Sequence, residues 1–465
     1  MSQTIVETYH EYESVESGSL QFLENLLSDR NSYLNSRDIY GILGCLERRE
    51  QNLPFTIGPS HRGDLQGILW TRDLRRKFQL DRWRVGRQSW FHNVDRSREL
   101  AVKNLTVTGV HGIDSFYTFE RYYPKLRIDI THFQLRNLVC CNSYASFYPS
   151  NDNDCFTINR MMIDADNPAR SGAVKLDCLV ESKSLAKNAF SRVSTLACND
   201  NWLVCGTFEG GYILFDISDP DSSKVVGEYT LTDKPDGITN HVIVDDTCLR
   251  VSGNDRSLRT VDLTKNKTTS RTQLASAVNC AAPSATNHDL LYVVVDSIDS
   301  YIIDLRTNEE TLRFSGHHDY GFSCDWSKTN ENLLISGNQD TTMCMWDRRS
   351  PSKPLHRWSG ALGESSSLNA GPVRNCKFST AGEYVCWAES LDHVGIVRID
   401  ELEQGTIDRA QSIDYIGKCV GLNFTESDNG HGERLTIGIN DCQLGGIIEY
   451  KLESSHKCLD YDFAF

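Results

Sequence analysis

From residue 215 onward, an apolar residue followed by an acidic one recurs at a nearly constant step. The pairs are Phe215-Asp216, Val261-Asp262, Ile303-Asp304, Trp346-Asp347, Ile399-Asp400 and Ile448-Glu449, at successive spacings of 46, 42, 43, 53 and 49 residues. Tight-turn residues fall in register with them, at Glu209-Gly210-Gly211, Asn254-Asp255, Ser297-Ile298-Asp299, Asp340, Leu391-Asp392 and Asn440-Asp441. A unit of forty-odd residues cannot bury an apolar face alone, so the units must stack, and this period marks the four-stranded blades of a propeller.

The most complete unit runs from Gly316 to Asp347. Gly316-His317 is followed by Gly337-Asn338-Gln339-Asp340 and then Trp346-Asp347, the signature of a WD-repeat blade. Phe322, Cys324 and Trp326 alternate as in a half-buried strand, Leu333–Ser336 reads as a second strand, and a third ends at Trp346. Buried polar groups need partners. Asp340 is therefore expected to accept from His317, His317 to reach Ser336, and Trp346 to close the chain through its indole N–H. No base or metal partner accompanies His317, so these four residues read as a structural blade network.

At 465 residues the chain exceeds the roughly 280–320 that a propeller occupies, which leaves room for an N-terminal extension. Blade starts fall near residues 127, 191, 237, 275, 316, 371 and 416. The first unit, over about 127–165, is degenerate, and 167–188 reads as a connection between blades. Phe116–Phe119 and Leu126–Ile130 read as strands, and one strand from 115–130 is expected to complete the last blade and abolish the free sheet edge. The predicted fold is all-β, a seven-bladed WD-repeat β-propeller over residues 115–465 with a partly helical N-terminal extension.

Within that extension, residues 1–19 are acidic and polar and read as a disordered tail. Residues 20–30 and 37–49 carry apolar positions at helical spacing, either as a cap on the propeller or as a segment for a partner's groove. The arm over 72–98 interleaves Arg72, Arg75, Arg76, Arg82, Arg84 and Arg87 with Trp83, Trp90 and Phe91. That composition could stack on nucleic acid, but the simpler account is an arm that docks on the protein's own acidic surface, anchored by its Trp residues.

The net charge of −15 argues against broad binding to nucleic acid or to an anionic membrane. The opening MSQTIVETYHEYE lacks a signal pattern, and no run of about eighteen apolar residues occurs. Sixteen cysteines, mostly isolated in apolar strands, read as small core residues of a reducing compartment, cytoplasmic or nuclear. Cys140-Cys141 lacks the spacing of a zinc site. No GxSxG, P-loop, HExxH or GxGxxG opening a helix is present, and Asp245-Asp246 and Asp219/Asp221 sit in turns that favour Asp. No enzyme activity, cofactor or metal is expected.

The runs His132-Phe133-Gln134-Leu135-Arg136-Asn137-Leu138, Asn201–Gly211 and Gly337–Thr342 resemble a family of fungal and plant WD-repeat proteins. So do Gln66-Gly67-Ile68-Leu69-Trp70-Thr71-Arg72 and Cys458-Leu459-Asp460. The resemblance spans about residues 64–460 and implies a fold without implying an activity. A fainter likeness is to the propeller substrate receptors of the GID/CTLH ubiquitin ligase.

WD-repeat resemblance implies docking on the face where each blade's first strand begins. Superposing the units on Gly321–Trp326 brings Tyr320 and Phe322 to that level, together with Arg192 and Ser194, Ile238 and Asn240, Arg374, and Lys418. Aromatic and Arg side chains make interface hot spots. The function expected is a protein-interaction scaffold or adaptor that binds proteins or peptide segments, one version being recruitment of substrates to a ubiquitin ligase. The rival reading is a nucleic-acid-associated or chromatin-associated factor that uses the 72–98 arm.

Overall fold

Leu290–Val295, the run LLYVVV, is buried along nearly its whole length, whereas Glu309–Ser315 of the same sheet, EETLRFS, is mostly exposed. An unbroken apolar run is what a strand needs when both of its faces pack on neighbouring sheets, and a polar one suits the outermost strand. The structure is a computed structural model that describes residues 116–453. Excepted are segments 124–125, 127, 129–136, 153–154, 163–174, 182–192, 220–221, 360–370, 390–392, 405–409, 416–417, 427–431 and 441–444. The tail, helices and basic arm expected over 1–98 lie outside the described residues, as does Arg192.

The described strands form seven four-stranded antiparallel sheets, each one blade. The inner strands of blades 1 to 7 are Cys140–Cys141, Val193–Cys198, Thr239–Val244, Val278–Pro283, Gly321–Trp326, Val373–Phe378 and Lys418–Glu426. Blade 7 takes its outer strand from the other end of the chain: Thr118–Tyr123 pairs with Gly446–Glu453, Thr118 facing Lys451 and Tyr123 facing Ile447. That strand is clasped at its entry. Gln411 Oε1 accepts from Phe116 N (2.9 Å) and Tyr117 N (2.8 Å), and Gln411 Nε2 donates to Tyr117 O (2.7 Å). The Tyr117 hydroxyl donates to the Glu433 carboxylate, whose other oxygen accepts from Thr380 N at 2.7 Å.

The core lies between blades. Trp346 packs edge-on against Phe314 of the preceding blade with ring centroids 5.5 Å apart, and Trp358 against Trp387 of the following one at 5.8 Å. Each blade therefore completes its neighbour's apolar surface, as stacked repeats require.

Three expectations are corrected. Leu126 and Ile128 are buried but belong to no strand, and Asn440 Nδ2 donates to Ile128 O at 2.6 Å; the closing strand expected within 115–130 is present as Thr118–Tyr123. Segment 167–188 is more than a connection, because Lys175–Glu181 is the outer strand of blade 1, which begins at Cys140. Ile399-Asp400 does not end a third strand: that strand stops at Arg398, and Ile399–Gln404 forms a short helix, α1, which buries Ile399 and Leu402 at helical spacing.

Candidate docking face

Six inner strands begin with the same irregularity. A β-bulge inserts Ser194, Asn240, Asn279, Phe322, Arg374 and Val420 in blades 2 to 7 respectively. A bulge re-aims its side chain relative to regular alternation. In blades 3 to 5 the residue just ahead of the strand is pinned by the turn between the second and third strands: Asn254 N donates to Ile238 O (2.8 Å), Asp296 N to Ala277 O (3.0 Å) and Gln339 N to Tyr320 O (2.9 Å). These two levels make up the upper rim.

In blades 2 to 4 the re-aimed side chain is used on the neighbouring blade. Ser194 Oγ donates to Thr239 O (2.6 Å), Asn240 Nδ2 to Val278 O (3.0 Å) and Asn279 Nδ2 to Gly321 O (2.8 Å). Each acceptor is the residue ahead of the next bulge, so the bonds step around the ring. The blades must approach closely for this: a Cβ on Gly321 would lie 2.7 Å from Val294 Cβ. From blade 5 the bridge moves lower. Asp325 accepts from Phe378 N (2.9 Å), Lys377 Nζ donates to Asn423 Oδ1 (3.0 Å), and Asn423 Nδ2 donates to Val139 O. Asn137 closes the circuit by accepting from Leu196 N (2.9 Å) and donating through Nδ2 to Leu196 O (3.2 Å). All seven junctions are thus bridged at the inner strands or, in blade 1, just ahead of them.

That circuit divides the residues expected to meet a partner. Ser194 is 1% exposed and Phe322 4%, so neither offers a side chain to the surface; this corrects the register argument, which located the level but not the bulge. Asn240 is half-buried and latched. Ile238, Tyr320, Arg374 and Lys418 are half-buried on the rim. Asn279 escaped sequence reading, although it stands in register with Asn240.

The rim carries two charged corners. Burial pushes the Tyr320 phenol up, and the Asp296 and Asp319 carboxylates beside it add to the effect. Further round, Arg374 stands near Cys419, next to Lys418. The rim thus carries acidic groups beside Tyr320 at blades 4 and 5 and basic ones, Arg374 and Lys418, at blades 6 and 7.

Below the rim, His317, Ser336, Asp340 and Trp346 form one buried network. Ser336 Oγ lies 2.8 Å from His317 Nε2 and accepts from Trp346 Nε1 at 2.9 Å, while His317 Nδ1 lies 3.4 Å from Asp340 Oδ2. Two members were not expected. Thr342 Oγ1 donates to Asp340 Oδ1 (2.6 Å), and Arg357 Nη2 reaches Asp340 Oδ2 (3.3 Å). Arg357 has counterparts in Arg271 and Arg313, at the same outer-strand position of blades 3 and 4, near Asp255 and Asp299. Burial opposes the charged imidazole, but the Cys344 sulfur and the Asp340 carboxylate hold His317 up at about 9. Burial likewise opposes Asp340 ionisation, and His317 and Arg357 overcome it, holding the carboxyl far below its ordinary range. The turn carboxylates are also structural: Asp245 pairs with Arg250, and Asp246 accepts from the side-chain amides of Asn199 (3.2 Å) and Asn201 (3.1 Å).

No family model matches the chain. A 105-residue stretch is 30% identical to the ribosome biogenesis protein WDR12 homolog of Drosophila persimilis, covering 22% of this chain and 25% of that protein. A 142-residue stretch is 28% identical to the Culex quinquefasciatus homolog, covering 30% and 32%. The chain thus matches about a quarter to a third of those relatives' length. Among solved structures, the WD40 domain of Toxoplasma gondii coronin superposes with a TM-score of 0.55 at 12% identity, over 75% of this chain and 87% of that one. A chain of the mitotic checkpoint complex gives 0.54 at 11%, over 75% and 98%. The fold is a WD40 propeller. The relatives named are ribosome biogenesis proteins, and ubiquitin-ligase receptors are not among them. Among the described residues no helix is long and apolar enough to cross a membrane, and no cluster of ligating side chains could hold a metal.

Proposed function

We propose that this protein is an interaction scaffold within a larger complex and that it binds a partner segment across the upper rim between blades 4 and 7. The supporting observation is the composition of the rim between blades 4 and 7, where the half-buried Tyr320 has carboxylates beside it and the half-buried Arg374 and Lys418 supply bases. A segment with a basic residue for Asp296 and an acidic one for Arg374 and Lys418 matches that pattern. The relatives' role in ribosome biogenesis favours an assembly of that kind over recruitment to a ubiquitin ligase.

Affinity purification with mass spectrometry tests this, comparing the native chain with a Tyr320→Ala/Arg374→Glu variant that keeps its circular dichroism. Phe322 is left intact because it is buried. Partners lost only from the variant support the rim, and their identity separates ribosome assembly from ubiquitin transfer. An unchanged partner set overturns the assignment and moves attention to the 72–98 arm.

A further inference from the structure

Blade 5 passes from its third strand, Thr342–Asp347, to its outer strand, His356–Ser359, through residues 348–355. The third strand starts at the turn that pins the rim and runs away from it, so this loop emerges on the opposite side of the disc. Both ends of the loop are held. Arg348 N donates to Asn332 O (2.8 Å), the Arg348 guanidinium lies over the Trp326 ring, 5.9 Å from its centroid, and Ser350 N donates to Asp347 O (2.9 Å). At the far end Pro354 is buried beside Gly316, and Leu355 N donates to Met345 O at 2.8 Å. Between these anchors Arg349, Ser350, Ser352 and Lys353 are exposed and Pro351 is half-buried. The Ser350 hydroxyl has no hydrogen-bond partner among the described residues.

Of the eleven prolines in the chain, Pro351 alone follows a serine or threonine. Proline has no N–H, fixes its own φ and pushes the residue before it toward extended backbone. An enzyme groove that offers no acceptor for that N–H therefore selects proline after the reacting serine, and Lys353 adds a cation three residues beyond the hydroxyl. The exposed arch and this arrangement of residues coincide.

We propose that Ser350 is a phosphorylation site for a proline-directed protein kinase that reads Ser350, Pro351 and Lys353 together. Ser350 Oγ attacks the γ-phosphorus of ATP, the bond from that phosphorus to the β,γ-bridging oxygen breaks, ADP leaves, and the hydroxyl proton passes to a base of the kinase. The phosphate brings about −1.5 to −2 charges. Arg349, whose Nη2 lies 2.6 Å from Asp347 Oδ2, is the adjacent cation and can turn to the new group. The modification would thus change the charge of the face opposite Tyr320 and Arg374.

The full-length protein is incubated with Mg-ATP and a purified cyclin-dependent kinase, a proline-directed enzyme that favours a base three residues after its serine, and phosphopeptides are mapped and quantified over time. Phosphate is expected at Ser350, with none on this loop in Ser350→Ala or Pro351→Ala. Lys353→Glu should slow the initial rate about tenfold, because it sets like charges against each other in the kinase groove. A Ser350 that stays unmodified in the native chain overturns the proposal, and a synthetic peptide of residues 346–356 then tells whether the sequence or the folded loop forbids the reaction. A native rate unchanged by Lys353→Glu also overturns the reading of the three residues together. The native chain alone decides the site if a variant misfolds.

Discussion

Replacing Asp340 by Asn removes one charge from the centre of the blade 5 network and almost none of its volume. Asp340 is 7% exposed, accepts from His318 N and Thr342 N at 2.7 and 2.9 Å, and neutralises both His317 and Arg357. Asn keeps part of the hydrogen bonding but leaves a buried guanidinium uncompensated, a class of change that costs about 3–5 kcal/mol. The His317 share follows from its titration. Its folded value of about 9 stands above the unfolded 6.5, so its contribution is fully present below pH 6.5 and is lost as pH rises through 9. That gap corresponds to roughly 3 kcal/mol, an upper limit. Asp340 acts oppositely: its carboxyl is depressed, so its contribution is present above its ordinary value and is lost as pH falls through the lower folded one. Urea unfolding followed by tryptophan fluorescence from pH 5 to 10 should show native stability declining between pH 6.5 and 9. Asp340→Asn should be weaker at pH 6 and should show a smaller decline, because the Cys344 sulfur still favours the charged imidazole. A cost below about 1 kcal/mol, or an alkaline decline left intact, would refute the reasoning.

Glu449 should behave as a buried acid at the closing blade, since burial raises its carboxyl to about 7 and Arg434 only partly opposes this. Folding favours its protonated form, so stability should fall between pH 4.5 and 7, and Glu449→Gln should remove that fall and raise the melting temperature at pH 8 by an amount equivalent to up to about 3 kcal/mol. Gln411→Ala should open the clasp on Phe116 and Tyr117, cost about 1–3 kcal/mol and accelerate limited proteolysis near residue 116. Gly321→Ala should cost about 1–3 kcal/mol in denaturant titration, because the new Cβ would meet Val294 across the blade junction, and an unchanged midpoint would contradict that contact.

The repeat was readable because propeller blades impose two strict demands on sequence: an apolar second strand buried on both faces, and a tight turn needing Asp, Asn or Gly. Leu333–Asn338 and Asp340 meet both, and they stand at the same phase as their counterparts in the other blades. Outer strands obey no such demand. Lys175–Glu181 mixes Lys175, Asp177 and Glu181 with apolar residues, so it resembled a connection until its pairing with Cys155–Met162 was visible. The clasp by Gln411 was out of reach for another reason: it joins residues nearly three hundred positions apart through one side-chain amide. Register located Ser194 and Phe322 at the right height, but a bulge decides aim by backbone geometry that carries no residue signature at Phe322 or Arg374. Arg357 was legible in principle, through its repetition as Arg271 and Arg313, yet only a pairing register aligns the three.

Thr118 faces Lys451, near the end of the third strand of blade 7, so the closing strand enters at the side of the disc opposite the upper rim and climbs toward it. Phe116 and Tyr117, where that strand is clasped, therefore lie toward the lower side, while a segment on Tyr320 and Arg374 would sit above the disc. A strand of six residues spans about 20 Å, which sets the thickness between the two. On the proposed reading, a partner seated on the upper rim is held a full blade's height from the point where the closing strand enters.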